Sequence, residues 1–334
     1  MEVYFSTVVR GAPLERGGAL VRLDWDAKRV LGEVPVVPTD PAVRDPNPRG
    51  GARGGRGVQL VDDGVMVGSY HTLLFFSRDL EPERRITHPL LAGIHETHLL
   101  PDGRLWVAAT AIDAALLVDL DKGDVVDSRW PRESPALQLR LGVTPLDIDK
   151  DADNRQKWLL RPERSDFSHL HLNAVCPWQG HLYALCTHPG VIVDLDREEV
   201  VIEDRRLKGA HNLTILDDGT ALTSGTTSHS VEVWDLAGRR SVRSIELTSF
   251  GWVKSLVRRH MVSFTARRVV AKLGIGQARA HPLFIRGQQV LGDEVLVGLA
   301  PASILLVDWR RGALVDAYQH SDDVEACVHG IAAA

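Results

Sequence analysis

Four histidines occupy matching places in this chain of 334 residues: His95, His171, His211 and His329 each stand at the head of a short segment of alternating apolar residues, in HETHLL, HLNAV, HNLTIL and HGIAA. Imidazole is a ligand for Fe, Zn, Cu or Mn, and three or four imidazoles on separate rigid segments can fix a metal while leaving coordination positions open. Three further segments begin with a cation instead, Arg56 in RGVQLV, Lys254 in VKSLV and Arg286 in RGQQVL. These would add positive charge without ligating, and a guanidinium grips a carboxylate or phosphate through two parallel hydrogen bonds. The chemistry expected of the set is a histidine-held metal beside a small anionic substrate.

Residues next to these heads fill the supporting roles. His169 shares a side with His171 and can replace it or act as a base, and Glu96, Asn173, Asn212 and Glu325 are close enough in sequence to orient the second nitrogen of a ligating ring. Glu96 and His169 are the expected catalytic groups. His98 lies three residues from His95, which in a regular strand turns it to the opposite side.

Segments far apart in sequence meet only if the fold is periodic, and it is. GIHETHLLPDG at Gly93 to Gly103 returns as GAHNLTILDDG at Gly209 to Gly219. The apolar tail LLVDLDKGDVV is echoed by VIVDLDREEVV at Val191, VEVWDLAGRRSV at Val231, ILLVDWRRGALV at Ile304 and LVRLDWDAKRVL at Leu20. Self-similarity at roughly 40 residues, with about four short strands per unit and Asp-Gly turns, is the pattern of an all-β β-propeller. Inner strands of a propeller converge on a central channel, so equivalent strand heads meet at one of its mouths.

Seven blades of four antiparallel strands are expected, with six and eight as alternatives. Glu325 to Ala332 is a strand with no partners of its own, and it completes the blade begun at the N-terminus, which removes the open sheet edges. The weakest blade is the sixth, over Gly251 to Leu273, which lacks the Asp-containing turn. Two segments interrupt the rhythm: residues 35–56, rich in Pro, Gly and Arg, and residues 128–168, read as an insertion or a degenerate blade. Both precede inner strands and so belong over the face that carries the ring. The whole of 1–334 is read as one domain.

Composition narrows the partners. A hydrophobic fraction of 44%, a charged fraction of 25% and a net charge of -5 give no basis for nucleic acid or an anionic membrane. Neither a basic-apolar leader nor an 18-residue apolar run is present, so a cytoplasmic monomer or weak homo-oligomer is expected. Cys176, Cys186 and Cys327 form no CxxC pair and no disulfide framework. GxSxG, HExxH and Walker sequences are missing, which removes the common hydrolase and nucleotide-binding readings.

With repeats such as HETHLLPDGRLWVAA and HNLTILDDGTALTSG, the chain resembles bacterial β-propellers of the broad group that includes streptogramin lyases. A looser resemblance is to carotenoid-cleavage oxygenases, which hold Fe(II) by four histidines from the inner strands of a propeller; His95, His171, His211 and His329 match that arrangement in kind. The first resemblance implies a lyase using Mg, Mn or Zn. The second implies an Fe(II) oxidase or oxygenase, the favoured expectation, and a non-catalytic binding propeller is the third possibility.

Overall fold

Asp-Gly closes the repeated hairpins because the turn needs a residue that tolerates positive φ. Gly103 and Gly219 both take φ 82°. The two turns are bonded alike: Leu100 N–H donates to Arg104 O at 2.8 Å, and Leu216 N–H donates to Thr220 O at 2.8 Å. In the third strand of each unit the recurring aspartate caps the next turn, as Asp119 Oδ1 accepts from Lys122 N–H at 3.0 Å and Asp308 Oδ1 from Arg311 N–H at 2.7 Å.

A computed structural model describes residues 1–37, 54–156, 169–272 and 283–334. Among these residues the strands form six four-stranded sheets, arranged as the blades of a β-propeller. Blade 2 runs from inner strand Arg56–Val61 to outer strand Pro82–Thr87, blade 3 from Ile94–Leu99 to Asp124–Arg129, and blade 4 from Leu172–Trp178 to Glu199–Glu203. Blade 5 runs from Ala210–Ile215 to Arg240–Glu246 and blade 6 from Gln288–Leu291 to Ala313–Gln319. Blade 1 uses both ends of the chain: Ala326–Ala333 is its inner strand and pairs antiparallel with Glu2–Val9, from Val3 against Ala333 to Val9 against Ala326. Apolar faces of neighbouring blades pack together, and Trp25, Trp106, Trp234 and Trp309 are buried there.

Between the last strand of blade 3 and the first of blade 4, the described residues 130–156 contain no strand. After the strand ends at Arg129 the chain turns through Pro131–Glu133 and the short helix α1 (Pro135–Leu141), with Ser134 as N-cap accepting from Leu137 N–H at 3.2 Å. Residues 38–53 of the Pro/Gly/Arg stretch and 157–168 of the segment between blades 3 and 4 lie outside the described residues.

Six blades replace the expected seven because the segment assigned to a blade at Gly251 is a helix, α2 (Gly251–Lys272). Val253, Leu256, Val257 and His260 recur at i, i+3, i+4 and i+7, and Val253 and Leu256 are wholly buried while Ser255, Arg258 and Arg259 are exposed. A helix satisfies its own backbone, whereas this segment had no hairpin partner with which to pair as a sheet. Lys254 is therefore on the exposed side of α2 and not at the head of an inner strand. The blade and the ring member fall together.

Candidate functional site

Five of the six inner strands are irregular at or beside their cationic or imidazole residue. The register shifts between Arg56 and Val58, between Ile94 and Thr97, between Leu172 and Ala174, and between His211 and Thr214. In blade 1 the pairing jumps from Val328 to Gly330, leaving His329 as the extra residue. Blade 6 enters its inner strand through Arg286 and Gly287, the latter at φ 75°. A bulge adds one residue to one strand, so successive side chains such as His95 and Glu96, or His211 and Asn212, can both turn toward the axis. His171 at φ 51° and Asn212 at φ 57° hold left-handed backbone, a conformation that costs energy outside glycine.

These irregularities bring six of the seven expected strand heads to one mouth of the channel. The His95 ring centroid is 5.2 Å from His171, 5.8 Å from His211 and 5.5 Å from His329, and His211 is 6.3 Å from His329. His169 is 5.8 Å from His171. Arg56 is buried beside them and donates through Nη1 to Ile94 O at 3.2 Å. Arg286 donates through Nη1 to His329 Nε2 at 2.7 Å. Its guanidinium also lies 4.4 Å from the centre of the Phe284 ring, and the Arg10 guanidinium lies 3.8 Å from the same centre.

The hydrogen bonds assign several tautomers. Thr226 donates its hydroxyl proton to Ile285 O at 2.6 Å, so its oxygen accepts from His211 Nδ1–H at 2.9 Å, and His211 Nε2 is left as a bare lone pair. His329 is the reverse: its Nε2 accepts from Arg286, which puts the ring proton on Nδ1, 4.0 Å from Glu96 Oε1. His169 Nδ1 accepts from His171 N–H at 2.7 Å and lies 3.4 Å from Asp113 Oδ1. Asp113 in turn accepts from Leu170 N–H and Leu172 N–H at 2.9 and 3.1 Å, and Arg132 of the segment between blades 3 and 4 stands 3.5 Å from it. Thus that segment is tied to the strand head that carries His169 and His171.

What remains is a cluster of buried polar atoms with no partner among the described residues: His95 Nδ1, His171 Nδ1, His211 Nε2, His329 Nδ1, Glu96 Oε1, Arg286 Nε, Asn212 Oδ1, and both Asn173 amide atoms. Such atoms are scarce in folded proteins and mark places where a ligand, ion or water belongs. Burial holds all four ring histidines well below the usual imidazole range, reinforced by charges among Arg56, Arg286 and neighbouring imidazoles. The imidazoles are therefore neutral at pH 7. Burial also pushes the Glu96 carboxyl up to about 8, against the opposing pull of Arg286 and Arg56 and an Asn212 hydrogen bond. Burial and the nearby Arg10 and Arg56 charges make the Arg286 cation unusually costly. The site carries guanidinium charge that a mostly protonated Glu96 does not offset.

A metal site asks for more than proximity. Among the described residues the set of three potential ligand atoms lying within 4.8 Å of one another is His181, Asp194 and Asp196, in blade 4 away from the ring. Those carboxylates serve their hairpin, Asp194 Oδ1 accepting from Arg197 N–H at 3.0 Å and Asp196 Oδ2 from Leu182 N–H at 2.7 Å. In the ring, His329 Nε2 is engaged by a cation, whereas His95, His171 and His211 each keep an unpartnered nitrogen.

The sequence reading missed His188, whose ring is 5.2 Å from both His169 and His171 and whose Nδ1–H donates to His169 O at 3.1 Å. It also missed Thr226 and Asp113. All three follow the second strand of a blade, which runs antiparallel to the first and so ends on the face where the first begins. His98, expected to face away, lines the channel, because the bulge at His95 and Glu96 reverses the alternation beyond it. Cys176, Cys186 and Cys327 are buried free thiols.

No protein-family model matches the chain, and no curated protein matches it. Solved structures do. A protein of unknown function from Bacteroides caccae aligns over 99% of this chain and 97% of its own, with TM-score 0.59 and 11% identity. A chain from a nidogen/laminin complex aligns over 98% of this chain and 97% of its own, with TM-score 0.56 and 11% identity. At that identity the likeness is one of fold, a β-propeller, and names no activity.

Proposed function

We propose that the mouth of the propeller binds a small anionic molecule and transfers a proton on it. The observation that carries this reading is the Arg286 guanidinium, which shares its Nη1 proton with a neutral imidazole instead of a carboxylate and leaves Nε unpartnered. A buried cation without a counter-charge is costly, and an incoming carboxylate or phosphate supplies one. Arg56 and the His329 Nδ1–H extend the same grip.

Around the bound anion the site offers both halves of acid–base chemistry. Glu96, with its carboxyl pushed up to about 8, is a proton donor at neutral pH and an acceptor once discharged. His211, fixed with its proton on Nδ1, turns a lone pair toward the cluster. Such a pair suits proton abstraction next to a carboxylate followed by elimination or isomerisation, the class implied by the lyase resemblance. His169 keeps its proton on Nε2, because its Nδ1 accepts from the His171 N–H, and so adds a donor to the set.

A second reading keeps the metal. His95, His171 and His211 are neutral donors with unpartnered nitrogens and would have to draw together around a divalent ion, since among the described residues their ligand atoms do not meet within 4.8 Å, while Arg286 withdraws His329 from the set. Bound there, Fe(II) would supply redox chemistry and Mn, Zn or Mg a Lewis acid for elimination. The guanidinium groups disfavour a dication, which ranks this reading second.

The deciding experiment is calorimetric titration of the purified chain with acetate and phosphate, alongside metal analysis of protein prepared anaerobically without chelator. Saturable anion binding that is lost in Arg286→Met supports the first reading. About one equivalent of Fe with no anion binding would reverse the order. Neither anion nor metal would leave a propeller that acts through a protein surface.

A further inference from the structure

We infer that the molecule held at the ring is a hydroxylated chain with one anionic end, in chemical class a sugar acid or a sugar phosphate. The inference rests on the anion site proposed above and follows the channel away from it. A cavity of about 180 Å³ begins next to the ring, lined by the inner-strand residues that come shortly after each ring member, among them Gln59, Glu96, His98, Asn212, Thr214 and Gln289. Charge and hydrogen bonding are divided between the two ends. The ring carries the guanidinium groups, whereas the cavity wall holds amides, hydroxyls and an imidazole.

Glu96 is the carboxyl among the cavity's lining residues, and amides and hydroxyls make up most of the remaining polar wall. Burial pushes the His98 imidazole down to about 4, so it stays neutral and presents one donor and one acceptor. Asn212 is 5% exposed and its Oδ1 has no protein partner, and Glu96 Oε1 is likewise unpartnered. Gln59 Nε2 donates to Thr97 O at 2.7 Å, which fixes the amide plane against the channel wall. Asn212 Oδ1 and Glu96 Oε1, left open in the cavity wall, favour a ligand that brings hydroxyl groups. An alkyl chain of the same length would leave them unpaired, and sites built to hydrogen-bond a hydroxyl discriminate strongly against analogues without it. Carboxylate and phosphate heads use the same guanidinium fork, so the head group is left for the measurement to choose.

The test is calorimetry on the full chain with gluconate, glucose 6-phosphate, hexanoate, acetate and phosphate. Gluconate or glucose 6-phosphate is expected to bind at least about tenfold more tightly than acetate or phosphate, and hexanoate no better than acetate. Hexanoate equal to gluconate, or all anions alike, would overturn the inference while leaving the anion site standing. Failure of every anion, acetate and phosphate included, would remove both. The double variant His98→Leu with Gln289→Met, checked for native circular dichroism, is expected to weaken the preferred polyol anion about tenfold. An unchanged affinity in that variant would also overturn the inference.

Discussion

Arg286 Nη1 stands 2.7 Å from His329 Nε2, so a permanent cation donates to a ring that shares its cluster with three other imidazoles. The bond fixes the His329 proton on Nδ1, takes its Nε2 out of any ligand set and, among the described residues, leaves the Arg286 guanidinium bonded to an imidazole and not to a carboxylate. It is the main reason that an anion ranks before a metal here.

Replacing Arg286 by Met should therefore weaken acetate and phosphate binding by about 1.5–3 kcal/mol, roughly ten- to a hundredfold. It should also raise the His329 pKa, since Arg286 is the largest charge lowering it after burial. Calorimetry reads the first effect, and nuclear magnetic resonance titration of the imidazole reads the second.

The buried ring should make the protein acid-sensitive well above the carboxylate range. His95, His171, His211 and His329 all titrate below the unfolded value of 6.5, so below that pH the unfolded chain binds more protons. Their contribution to stability is full above 6.5 and is lost as pH falls beneath it. Each contributes up to about 1.4 kcal/mol per pH unit. Urea denaturation at pH 5 to 8 should show the decline starting near 6.5; a flat profile down to pH 5 would contradict the assigned burial.

Glu96 works in the opposite direction. Its folded value of about 8 exceeds the ordinary 4.5, so the native state holds the extra proton between them and stability falls as pH rises across that window. Ionisation also places a negative charge beside the proposed anion site, so anion affinity should drop above about pH 8. Glu96→Gln should abolish that drop while keeping affinity at pH 7.

Gly330 follows the bulged His329, and a Cβ there would lie 2.7 Å from Val58 N and 2.9 Å from Val58 Cγ2. The backbone of blade 2 cannot move away without disturbing Arg56. Gly330→Ala should cost about 1–3 kcal/mol and lower the melting temperature, because overpacking against a strand has no cheap relaxation.

Lys254 provides a contrast. On the exposed face of α2 it should be replaceable by Ala with stability changed by less than about 0.5 kcal/mol and anion affinity unaltered. A loss of binding in Lys254→Ala would return it to the ring.

Much of this protein could be read from residue order because a propeller repeats. The strands, the Asp-Gly turns, the closure by Ala326–Ala333 and the meeting of Arg56, His95, His171, His211, Arg286 and His329 at one mouth all follow from equivalent positions in equivalent units. Periodicity carries that information locally, strand by strand. Tertiary structure decided what depends on partners beyond the segment. Gly251–Lys272 alternates well enough to pass for a strand, yet with no hairpin to pair with it became a helix, and the blade count fell to six. One extra residue in the bulge at His95 and Glu96 turned His98 into the channel, against simple alternation. Which nitrogen of His169, His211 and His329 is free was likewise set by hydrogen bonds that residue order does not announce: the His171 amide and Thr226 act within their own blades, and Arg286 reaches His329 across the junction of two blades.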